Sequence, residues 1–107
     1  MNSIIEDQPQ IPADLLKELF TLLVQELPQA HLLINKTINN KKFDEARAQL
    51  HKLQGSCVYC GLTRLKEATV ALDNAIKADS YTPTLLAVFN EEIQAVMDEL
   101  KRRGFKD

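Results

Sequence analysis

His51 and Gly55 stand four residues apart in the string His51-Lys52-Leu53-Gln54-Gly55-Ser56. A neutral imidazole is a competent nucleophile near neutral pH through its exposed nitrogen. Positions i and i+4 share a helical face, and a glycine inside a helix costs about 1 kcal/mol relative to alanine. The chain therefore accepts an unfavourable residue that removes the side chain beside a histidine. Two causes would explain it: close approach of a partner macromolecule to the imidazole, or close approach of a neighbouring helix to the glycine. Asp44, Arg47, Ala48, Gln54 and Val58 fall on the same mixed, largely polar face, which predicts that His51 is at least partly exposed. The histidine sits too far from either helix end for the dipole to shift its charge much.

The elements that must hold this face are helices. Phe43, Ala46, Leu50, Leu53 and Cys57 recur in steps of three and four, a bundle-facing seam that ends near Tyr59, with Gly61 supplying the turn. Leu62, Leu65, Thr69, Leu72 and Ile76 form a third-helix stripe that stops near Asp79-Ser80, and Leu86, Phe89, Ile93, Val96 and Leu100 form the last one after Thr82-Pro83. Upstream, Leu15, Leu16, Leu19, Leu22, Leu23 and Leu27 follow Pro12 at helical spacing; Pro28 is expected to interrupt or kink that helix before the stripe resumes to Asn39-Asn40. No run alternates with period two. Short connections favour antiparallel neighbours. The expected fold is all-α: an antiparallel up-and-down four-helix bundle with an extra N-terminal helical segment. Residues 1–10 read as a flexible tail and 11–107 as the bundle.

With 107 residues, 45% apolar and 26% charged, the chain can bury a core without staples. A net charge of -2, with no basic run, gives no electrostatic case for nucleic acid. The N-terminus is polar and acidic, unlike a signal peptide, and no apolar stretch approaches the ~20 residues of a membrane span. The expectation is a cytoplasmic protein without direct membrane contact, free-standing or the cytoplasmic end of an inner-membrane sensor kinase. No glycine-rich phosphate loop is present, so no kinase machinery of its own is expected.

The longer string His51-Lys52-Leu53-x-Gly55-Ser56, followed by Cys57-x-Tyr59-x-Gly61-Leu62 and Leu65, resembles the histidine-containing phosphotransfer (HPt) domain of bacterial phosphorelays, most closely the C-terminal module of BarA-type hybrid sensor kinases. The resemblance implies a non-enzymatic phosphocarrier in two-component signalling. His51 would accept a phosphoryl group from a receiver-domain aspartate and pass it to another receiver. The partners implied are response-regulator receivers and the rest of a hybrid kinase, with the isolated domain a monomer. The chain needs no cofactor of its own, because magnesium is expected on the receiver. Many relatives carry lysine three residues after the histidine; here it is Gln54, so Lys52 or Arg47 would supply positive charge, unless Arg47 is spent on a solvated pair with Asp44. Gly55 would let the receiver's active site reach the imidazole, Ser56 could donate a hydrogen bond, and Asp73, returning on the next helix to the height of His51, would fix the tautomer. Val58 and Leu62 could form an apolar rim.

Other readings remain open at this stage. A plain helical interaction module would use Gly55 for packing and leave His51 incidental. Cys57 and Cys60 form a C-x-x-C, but no strand precedes them and a zinc site would lack ligands, so they are expected to be buried and structural. His31, beside Leu27, Ile34 and Ile38, is expected at the core boundary.

Overall fold

In the computed structural model, which describes residues 4–5 and 11–105, the chain forms four helices: α1 Ala13–Asn39, α2 Phe43–Cys60, α3 Thr63–Lys77 and α4 Pro83–Arg102. They make an antiparallel ring in which α1 packs on α2 and α4, α2 on α3, and α3 on α4. Among the described residues there is no strand.

The seams read from sequence meet at the centre. Ala46, Leu50, Leu53 and Cys57 of α2, Leu65, Thr69 and Leu72 of α3, and Leu86, Phe89, Ile93, Val96 and Leu100 of α4 are all buried. The α1 stripe is narrower than its spacing predicts: Leu23, Leu27, Ile34 and Ile38 are buried, whereas Leu15 and Leu22 are exposed. Thr69 satisfies its hydroxyl on the Leu65 carbonyl, which lets a polar residue sit in the core without an orphaned atom.

Pro28 does not break α1. The helix is continuous through it, and the proline faces solvent. The missing N–H and the ring clash cost about 3 kcal/mol in a helix interior. Burial of Val24, Leu27 and Ile34 in the core outweighs that cost. The extra N-terminal segment is the start of this same helix. Leu19 and Leu22 line one groove with Tyr59 and Cys60, so the first turns of α1 overhang the end of α2. There Phe20 meets Phe105 edge-on, with centroids 5.4 Å apart. The flexible tail expected over 1–10 lies outside the described residues except for Ile4 and Ile5, and those two pack on the core.

All four helices end the same way. A residue with positive φ (Lys41 at 59°, Gly61 at 69°, Asp79 at 56°, Gly104 at 96°) is followed by an N–H that reaches back five residues: Lys42 to the Thr37 carbonyl, Leu62 to Cys57, Ser80 to Ala75, Phe105 to Leu100. Glycine carries the left-handed turn at no steric cost in two cases. Lysine at position 41 pays about 1 kcal/mol for its Cβ. Lys41→Gly should therefore raise unfolding stability by up to about 1 kcal/mol, read as a higher urea midpoint at unchanged slope. Asp79→Gly should gain less, because aspartate tolerates this region better.

Candidate functional site

The outward side of α2 carries the site. Its core face holds Ala46, Leu50, Leu53 and Cys57, so the opposite side presents Asp44, Ala48, His51, Gly55 and Tyr59 to solvent. The His51 side chain is 59% exposed. A Cβ built on Gly55 meets nothing within 4 Å. No helix packs against that glycine, which removes the packing explanation and leaves the clearance beside the imidazole.

Behind the ring lies a carboxylate. Asp73 of α3 is 6% exposed, and both of its oxygens are engaged. Oδ2 lies 2.8 Å from His51 Nε2, and Oδ1 accepts from Arg47 Nε at 3.0 Å. A carboxylate can only accept, so the proton of the neutral ring sits on Nε2, and the lone pair is on Nδ1. The contact bridges the α2–α3 seam, with Arg47 one turn before His51 holding the other oxygen. The solvated pairing of Arg47 with Asp44 does not form; Asp73 takes the guanidinium instead, because a buried carboxylate needs its charge compensated more than an exposed one does.

The remaining candidates divide between the two flanks of α2. Lys52 and Ser56 line the groove towards α1, with Glu26 opposite, and so lie on the side away from Asp73. Gln54 is half-buried on the α3 side. The apolar rim needs a correction. Val58 is exposed as expected, but Leu62 is fully buried, drawn inward by the left-handed turn at Gly61. Tyr59, 65% exposed, and Leu22 of α1 stand in its place beside Gly55. Both were assigned to inward stripes or helix ends by spacing alone, and only the α1–α2 register brings them together.

His31 is a boundary residue that joins helices. Its Nε2 lies 3.1 Å from Asn90 Oδ1, and Asn35 and Asn90 exchange reciprocal amide hydrogen bonds at 2.8 and 2.9 Å, tying α1 to α4 away from the His51 face.

Cys57 and Cys60 are free and buried. Burial pushes the Cys57 thiol up to about 12 and Cys60 up to about 11, from an ordinary 9.0. Both thiols stay protonated at neutral pH, the opposite of a redox-active pair. Among the described residues no three His, Cys, Asp or Glu side chains converge as metal ligands. Thiol reagents at pH 8 should titrate almost no cysteine until denaturant is added. The unfolded chain ionises first, so the thiols' contribution to stability is complete below pH 9 and drains away as pH rises towards 11–12.

The model of the Hpt domain family matches residues 18–102, and the chain belongs to that family. No curated protein and no solved structure matched the chain. Hpt domains are phosphocarriers, not enzymes, and serve phosphorelays in two-component signalling with response-regulator receivers as partners. No described helix is long and apolar enough to cross a membrane.

Proposed function

We propose that His51 is the phosphoacceptor of this Hpt domain, taking a phosphoryl group from the aspartyl phosphate of one receiver domain and delivering it to the aspartate of another. The observation that carries the reading is an exposed imidazole whose far side is anchored to a buried carboxylate and whose neighbouring helical position is bare. In the forward step the acyl O–P bond breaks and its electron pair stays on the aspartate oxygen. The imidazole lone pair forms the N–P bond, and the other ring nitrogen keeps its proton. The product ring is a phosphorylated imidazolium whose positive charge rests against Asp73. No proton has to move, so the bundle needs no separate base. In the ring orientation observed the lone pair is on Nδ1; transfer through Nε2 requires that nitrogen to leave Asp73 first.

Asp73 orients the ring, Gly55 admits the receiver, and Lys52, Gln54 and Ser56 flank the docking face. Val58, Tyr59 and Leu22 give it apolar area, suited to a transient interface of modest size. Magnesium belongs to the receiver. The motif from His51 to Leu65 supports a place as the C-terminal module of a BarA-type hybrid kinase, at its cytoplasmic end. The test is incubation with a receiver carrying labelled aspartyl phosphate. Acid-labile, alkali-stable label should appear on this chain, and a chain that stays unlabelled would discard the assignment.

A further inference from the structure

We infer that Arg47 is a positioning residue with two tasks: it holds Asp73 behind the unphosphorylated ring, and it clamps the phosphoryl group once His51 carries one. This deepens the phosphoacceptor reading and rests on it. The guanidinium spends only its Nε on Asp73, at 3.0 Å. Its side chain is 32% exposed, lies one turn before His51 on α2, and shares with the His51 ring the same Asp73 carboxylate, while its Nη groups donate no hydrogen bond among the described residues. A phosphoryl group brings roughly -1.5 to -2 of charge and arrives on a ring whose other nitrogen already rests against the buried Asp73 carboxylate. The imidazolium offsets one unit. Without another cation two like charges would face each other across the ring, and that repulsion would drive the phosphoryl group off. A guanidinium fork can give Nε to the carboxylate and its Nη hydrogens to phosphoryl oxygens at once, which an ammonium point charge cannot do with the same geometry.

The other charges nearby are less well placed. Lys52 lies on the α1 flank of α2, and Arg64 is committed to Glu92 through two bonds of 3.0 and 2.7 Å. On α3 the exposed Lys66 and Lys77 stand seven residues before and four after Asp73, and neither bonds to it; Asp44 lies three residues before Arg47 and would weaken any cation there. Arg47 is the cation that already touches the carboxylate under the reacting ring.

The experiment uses phosphoramidate, which phosphorylates imidazole directly with loss of ammonia and needs no receiver. The 31P resonance of the phosphorylated chain is then followed against pH. A guanidinium on the phosphoryl oxygens favours the dianion, so Arg47→Gln should move the phosphoryl titration midpoint up by about one pH unit. Arg47→Lys should recover part of the shift, and Lys77→Gln should move it by much less. An unchanged midpoint in Arg47→Gln, or an equal shift in Lys77→Gln, overturns the inference. The relay reading fails separately, if a phosphorylated receiver leaves His51 unlabelled while the 31P shifts appear as expected.

Discussion

His51→Gln should abolish labelling by a phosphorylated receiver, a loss of roughly a thousandfold or more, while the protein melts within a few degrees of the parent. The two halves of that expectation have separate causes. The amide nitrogen of glutamine has its lone pair delocalised into the carbonyl and cannot attack phosphorus. The same amide can donate an N–H to Asp73 Oδ2, where the ring Nε2 now lies at 2.8 Å, so the buried carboxylate keeps both partners. His51→Ala makes the contrast useful. It should be equally inactive but less stable by about 1–3 kcal/mol, the cost of leaving a buried acceptor unmade. His31→Gln is the control, because His31 faces Asn90 on the α1–α4 seam and should leave labelling untouched. Acid-labile label that survives in His51→Gln would show that the phosphoryl group sits elsewhere.

What the sequence discloses about this bundle follows from how local each feature is. The α4 stripe from Leu86 to Leu100 was legible because its apolar positions fill one face and charges fill the other; every one of the five stripe residues is buried. The His51–Gly55 pair was legible for the same reason, since both lie on one turn of one helix. Features that depend on a second helix were not. Asp73 could be placed near the height of His51 from the turn at Gly61, yet nothing in its spacing says that Arg47 would abandon the nearby Asp44 for it. That choice is made by burial, which only packing creates. Leu62 fitted both the inward stripe of the third helix and the rim beside the histidine helix, and the left-handed turn at Gly61 decides for the stripe by burying it. Pro28 read as a break because the local penalty is real; the continuous helix wins on the area buried by Val24, Leu27 and Ile34 behind it. The ends of α1 and α3 were legible at Asn39-Asn40 and near Asp79-Ser80, but the left-handed residues that make those ends, Lys41 and Asp79, were not, because glycine fills neither position.

Gly55→Leu should push stability and function in opposite directions. In a helix interior leucine is favoured over glycine by roughly 0.7 kcal/mol, and a Cβ at position 55 meets no neighbour within 4 Å, so no packed helix stands against the new side chain where it leaves the backbone. The variant should unfold at higher denaturant than the parent. A glycine retained for helix packing predicts the reverse sign, since a side chain there would wedge two helices apart. Transfer should fall because the leucine stands at i+4 on the His51 face, where the receiver's aspartyl phosphate has to come within about 3 Å of the ring nitrogen. A displacement of even 1 Å costs on the order of a hundredfold, and that is the loss expected in the second-order rate of transfer from a receiver. Phosphoramidate distinguishes steric exclusion from damage to the nucleophile. It is small enough to pass a leucine, so Gly55→Leu should take phosphate from it at close to the parent rate while refusing it from the receiver. A variant slow towards both donors would mean that the leucine disturbs the ring and its Asp73 contact, and the clearance argument would be wrong.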